Sequence, residues 1–144
     1  MHRAACRRMR ILVVDGDDVA ARSISRVFAY HDVIQEPDSD VALTRVRSGE
    51  WFDLVLCDAA MPKTSGVGVL DAMRGWFGSD GPTLVLMSGS DTEVAPSADV
   101  ILAKPLRAAE VRRLITVARA LHARRTTSRA RSSWVPSEPQ VGRS

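Results

Sequence analysis

The chain carries little covalent reinforcement: two cysteines, Cys6 and Cys57, in 144 residues. Two thiols so placed make no disulfide framework and have no metal-ligand spacing. Cys57 stands inside an apolar run and reads as a buried core residue. Aromatic residues are scarce, at 5%, so Trp51, Trp76 and Phe77 read as packing and not as ligand contacts. His2, His31 and His122 are too scattered to form a site. No apolar run approaches the length of a membrane span, residues 11–14 being a strand-sized stretch. The first ten residues are charged but lack the apolar segment of a signal peptide, so a cytoplasmic protein is expected. There is no internal repeat.

What is present fits one domain. Hydrophobic residues make up 45% and charged residues 26%, ordinary for a globular chain long enough to bury a single core. The net charge of +3 is unevenly placed: residues 1–10 and 122–144 each carry +4, which leaves −5 on residues 11–121. An acidic centre suits a cation site better than a nucleic-acid surface. Residues 1–8 read as a flexible basic extension, with Met9 opening a domain that runs to residue 123. Residues 124–144, rich in Ser, Arg and Pro, read as a disordered basic tail, most clearly from Thr126.

Between the ends, short apolar runs alternate with helical patterns. Strands are expected at residues 10–14, 33–36, 54–57, 83–87 and 100–103. Residues 18–30 have near-helical spacing of Val19, Ile24, Val27 and Phe28, with Asp17 or Asp18 as N-cap. Asp38 or Ser39 caps a second helix that Gly49 stops. Residues 65–77 form a third, weakened at its start by Gly66 and Gly68. The last carries Val111, Leu114, Ile115, Ala118 and Leu121 as its apolar stripe. Strand–helix repeats with nearly all-apolar strands imply a parallel sheet covered on both faces.

In such sheets functional groups collect beyond the carboxyl ends of the strands. Asp15, Gly16, Asp17 and Asp18 follow the first strand, Asp58 the third, Ser88 the fourth, and Lys104 with Pro105 the fifth. Carboxylates with a backbone carbonyl suit Mg²⁺, which keeps waters and recruits phosphate oxygens. A carboxylate can also act as a nucleophile and form an acyl phosphate. Phosphoryl transfer then needs in-line positioning and neutralised oxygens, which a metal, a hydroxyl and a lysine can supply.

The stretches ILVVDGDD, DLVLCDAAMPKTSG, LVLMSGS and ILAKP, in that order, resemble the receiver domain of bacterial two-component response regulators. The resemblance spans residues 9–121. It implies a flavodoxin-like, doubly wound α/β fold with a five-stranded parallel sheet of order 2-1-3-4-5. It implies Asp58 as phosphoacceptor, with a histidine kinase or phosphotransfer protein as donor. Asp15, Asp58 and the backbone carbonyl of Ala60 would hold Mg²⁺, while Ser88 and Lys104 would bind the phosphoryl group. The Lys104–Pro105 bond would be cis.

Three departures qualify the resemblance. The family places a second acid, normally a direct metal ligand, where this chain has Gly16, so a ligand is lost unless Asp17 reaches inward or water fills the place, and Mg²⁺ binding is expected to be weak. Its aromatic switch position, three residues before the lysine, is Ile101. Ser88 and Lys104 are only 16 residues apart, and the segment between contains Pro96, so the fourth helix is expected to be short or missing.

Each site residue also has a plainer reading. Asp58 can be a cap or loop carboxylate, Asp15, Asp17 and Asp18 helix caps, Ser88 a turn residue and Lys104 a surface lysine. Three functions compete. The first is a phosphorylatable receiver with no attached output domain, acting through an unidentified downstream protein. The second is a pseudo-receiver that binds partners without phosphorylation. The third uses the basic ends on nucleic acid, with a strong salt dependence, and is the least favoured because such arginines usually form a solvated tail.

Overall fold

The computed structural model describes residues 7–132. Its elements are β1 (Arg10–Val14), α1 (Asp18–Val27), β2 (Asp32–Glu36), α2 (Ser39–Arg47), β3 (Leu54–Asp58), α3 (Gly66–Phe77), β4 (Thr83–Ser88), β5 (Val100–Ala103) and α4 (Ala108–Ser132). All strand pairs are parallel, in the order β2-β1-β3-β4-β5. This is the expected doubly wound, flavodoxin-like sheet.

Side chains alternate across a strand, so a sheet buried on both faces needs apolar residues at every position. Ile11, Val13, Leu54, Leu56, Val85 and Met87 face α1 and α4, where Ile24, Phe28, Val111, Leu114 and Ala118 meet them. Leu12, Val14, Val55, Cys57, Leu84 and Leu86 form the other face, with Ala42 and Val46 of α2 and Val69, Leu70 and Met73 of α3.

Local chemistry sets the helix starts. Asp17 is the cap of α1, its Oδ1 accepting from the backbone N–H of Val19 (3.0 Å) and Ala20 (3.4 Å). Asp38 caps α2 in the same way, and Ser65 caps α3. Gly66 answers a packing demand. A Cβ there would overlap the Asp58 carbonyl oxygen and lie 2.7 Å from Ala59 Cα. The glycine therefore lets α3 start against the end of β3.

Among the described residues no helix lies between β4 and β5. The connecting loop covers the sheet instead, with Ala95 buried and Ala98 packed on the same cluster. The loop is tied down by Ser97 Oγ donating to Asp71 Oδ1 (2.7 Å) and by Arg74 donating to the Ser97 carbonyl (2.7 Å).

Two structural features bear on the expected extension and tail. Arg7 and Arg8, assigned to a flexible extension, are engaged: Arg119 donates to the Arg7 carbonyl and Arg8 to the Tyr30 carbonyl. Residues 126–132, assigned to a disordered tail, continue α4 as helix. Ala and Arg are strong helix formers and carry the helix past its apolar stripe. Arg125 fastens it by donating to the Gly81 carbonyl (2.6 Å). Residues 1–6 and 133–144 of the expected extension and tail lie outside the described residues.

Candidate functional site

β1, β3, β4 and β5 end on one rim of the sheet, and each delivers a chemically active residue there. Asp15 follows β1, Asp58 ends β3, Ser88 ends β4, and Lys104 follows β5. Parallel pairing sets this convergence: Asp58 is in register with Met87, and Ser88 with Ala103.

Lys104 is the centre of the arrangement. Its Nζ donates to Asp58 Oδ1 at 2.9 Å and stands 3.9 Å from Asp15 Oδ2. The three side chains are 31%, 15% and 1% exposed, in the order Lys104, Asp58, Asp15. The Lys104–Pro105 bond is cis. Burial works to lower the Lys104 pKa, but the Asp58 hydrogen bond and the charges of Asp15 and Asp58 outweigh it, so the ammonium is held above its ordinary value.

Asp15 is electrostatically uncomfortable. Its Oδ1 accepts from the Asp17 N–H at 2.8 Å, while its Oδ2 is buried with no hydrogen-bond partner. Burial pushes its carboxyl pKa up, and the Asp17 N–H and Lys104 only partly oppose this. A buried carboxylate oxygen left without a donor is what a bound cation relieves.

The residues therefore fit Mg²⁺, but with few protein ligands. Asp15 and Asp58 would supply two carboxylates, and the Ala60 carbonyl a further oxygen. Gly16 adds no side chain, and Asp17 Oδ1 is committed to capping α1. Among the described residues there is no group of three or more His, Cys, Asp or Glu side chains able to hold a metal. Water would fill the remaining positions of a bound Mg²⁺, which tolerates this well.

Ser88 lies on the same rim but its hydroxyl is turned into the following loop. It donates to the Ser90 carbonyl (2.8 Å) and accepts from the Ser90 N–H (3.0 Å). A residue that sequence reasoning missed sits beside it: Glu93, whose Oε1 is 3.5 Å from the Ser88 hydroxyl. No motif signals Glu93, because its position depends on how the shortened β4–β5 loop folds back. Ile101, at the aromatic switch position, is 44% exposed on the edge strand.

The response regulator receiver domain family model matches residues 11–116. The chain belongs to the response regulator receiver domain family. Solved structures agree on the receiver fold. A CheY-like receiver domain protein from Methanospirillum hungatei is 19% identical with a TM-score of 0.69, covering 84% of this chain and 99% of its own. The response regulator TrrA from Thermotoga maritima, solved with Mg²⁺ and beryllofluoride, is 22% identical with a TM-score of 0.68, covering 76% and 97%. Among curated proteins, the 3',5'-cyclic-nucleotide phosphodiesterase regA of Dictyostelium discoideum is 28% identical over 97 residues, 65% of this chain. The receiver spans only 12% of that much longer relative. Among the described residues no helix is long and apolar enough to cross a membrane.

Proposed function

We propose that this receiver is a two-component signalling protein phosphorylated on Asp58. The observation that carries this reading is the Lys104–Asp58 contact of 2.9 Å beside a buried Asp15 Oδ2 that has no hydrogen-bond partner. One carboxylate is partly exposed and held by an ammonium, and the other is buried and short of positive charge.

In the reaction an Asp58 carboxylate oxygen attacks the phosphorus of a phosphohistidine on a histidine kinase or phosphotransfer protein. The O–P bond forms, the N–P bond breaks, and the histidine nitrogen leaves with the electron pair. Lys104 then exchanges its bond to the free carboxylate for one to a phosphoryl oxygen. Ser88 turns its hydroxyl from the Ser90 carbonyl to another. Asp15, Asp58 and the Ala60 carbonyl would hold Mg²⁺, which supplies charge neutralisation for the transferring group. The reading places the protein in the cytoplasm, with an unidentified protein downstream.

The test is incubation with Mg²⁺ and a small phosphodonor, followed by intact mass. The expected result is one base-labile phosphoryl adduct that Asp58→Ala abolishes. No adduct after long incubation refutes phosphorylation. It would leave the second reading, an interaction module independent of phosphate, which Gly16 and the outward-facing Ile101 favour.

A further inference from the structure

The shortened β4–β5 loop does more than close a gap. It brings Glu93 to the wall of a cavity of about 260 Å³ that Ala59, Ala60, Ser88, Gly89 and Ser90 also line. This cavity adjoins Asp58 through the two residues that follow it in the chain, and it contains the hydroxyl assigned to the phosphoryl group. Its wall carries one acid and no cation.

We propose that Glu93 is an anionic gate on the phosphoryl pocket, opposing the phosphorylated state and lowering the fraction of receiver that holds it. The proposal rests on the reading of Asp58 as acceptor. An acyl phosphate brings nearly two negative charges and three acceptor oxygens to this side of the rim. Ser88 must then turn its single proton toward them. In this structure that proton goes to the Ser90 carbonyl, with Glu93 Oε1 as the next acceptor at 3.5 Å. Glu93 therefore acts twice, as a competing acceptor for Ser88 and as a like charge close to the incoming group.

The backbone around Glu93 is tied near the pocket on both sides. Ser90 and Thr92 join through their hydroxyls at 2.8 Å before it. Ala95 is buried after it, and Ser97 is fixed by Asp71 and Arg74. Among the described residues no lysine or arginine pairs with Glu93, so its charge is not neutralised locally. Lys104, the lysine of the rim, is already committed to Asp58.

The experiment compares wild type, Glu93→Gln, Glu93→Ala and Asp58→Ala for adduct formation from a small phosphodonor with Mg²⁺, followed by intact mass. Beryllofluoride binding is measured in parallel. Glu93→Gln keeps the shape and removes the charge. It is expected to reach half-occupancy at about tenfold lower donor or beryllofluoride concentration, and to lose the adduct more slowly. The difference is expected to shrink as salt rises. Equal or weaker occupancy in Glu93→Gln, with an adduct present in wild type, overturns the gate and leaves the acceptor reading standing. No adduct in any variant overturns both. An adduct in Glu93→Gln and Glu93→Ala but barely any in wild type is the strongest support. Thermal unfolding confirms that each variant is folded.

Discussion

Lys104 donates to Asp58 across 2.9 Å from a position forty-six residues later in the chain. Among the described residues the same ammonium is also the one cation paired with the buried Asp15 Oδ2, at 3.9 Å. One lysine thus balances two carboxylates, and its removal leaves both facing each other.

Lys104→Met is therefore expected to destabilise the receiver by about 1–2 kcal/mol, reduced from the cost of a fully buried pair because Lys104 is partly exposed. Mg²⁺ should recover more stability in the variant than in wild type, since the cation has an emptier place to fill. Urea unfolding with and without Mg²⁺ reads both numbers. An equal Mg²⁺ response in the two proteins would show that Lys104 and the metal do not share these carboxylates.

Gly16→Asp tests the missing ligand directly. A Cβ at Gly16 meets only the Pro37 carbonyl, at an ordinary 3.9 Å, so the substitution fits without rearrangement. It adds a third acid to the rim, and more ligand charge raises cation affinity. Calorimetric titration is expected to show Mg²⁺ binding about tenfold tighter than wild type. Unchanged affinity would mean that the Gly16 side of the rim does not face the ion.

The rim was legible in the sequence because β1, β3, β4 and β5 are nearly all apolar and each is ended or followed by a polar residue. The missing helix was legible from length alone, Ser88 and Lys104 being 16 residues apart. Other features were hidden for physical reasons. Asp17 could have been a cap or a ligand, since both roles need the same short carboxylate, and only the bonds to Val19 and Ala20 decide for the cap. The extension of α4 was obscured because Thr126, Thr127 and Ser128 read locally as loop. Glu93 lies in an irregular segment, where no periodicity indicates which way a side chain faces.

Gly66 and Gly75 sit on the same helix and should respond oppositely to alanine. At Gly66 the new methyl group collides with the backbone of Asp58 and Ala59, whereas at Gly75 it meets open space. Gly66→Ala is expected to cost about 2–3 kcal/mol and to disturb the Asp58 position. Gly75→Ala is expected to stabilise by about 0.5–1 kcal/mol through helix propensity. Chemical denaturation of the pair checks the signs, and a harmless Gly66→Ala would contradict the close approach.

His31 gives the receiver a pH-dependent joint between the residue before β1 and the segment that follows α1. Its Nδ1 accepts the Met9 N–H at 3.0 Å. Burial, then Arg119 and Arg8, hold its pKa below the ordinary 6.5. Protonation thus favours the unfolded chain. The contribution is complete above pH 6.5 and is lost as pH falls from there through the folded value. Between pH 7 and 5 wild type should lose more stability than His31→Gln, which retains an acceptor but does not titrate. Parallel stability curves would remove His31 as the cause.

Cys57 precedes the proposed acceptor, so its reactivity reports whether the rim opens. Burial, followed by the charges of Asp58 and Asp15, pushes its thiol up to about 12 from an ordinary 9.0. The thiolate is the reactive form, so at pH 8 almost none is available in the folded state. A Cys6→Ser variant, which leaves Cys57 as the single thiol, should resist a disulfide reagent for as long as the fold persists. Its labelling rate should rise with urea in step with global unfolding, because Cys57 lies on the middle strand of the sheet with the core packed against it. Rapid labelling in native buffer would show instead that β3 separates locally from its neighbours, and the rigid placement of Asp58 would then have to be abandoned.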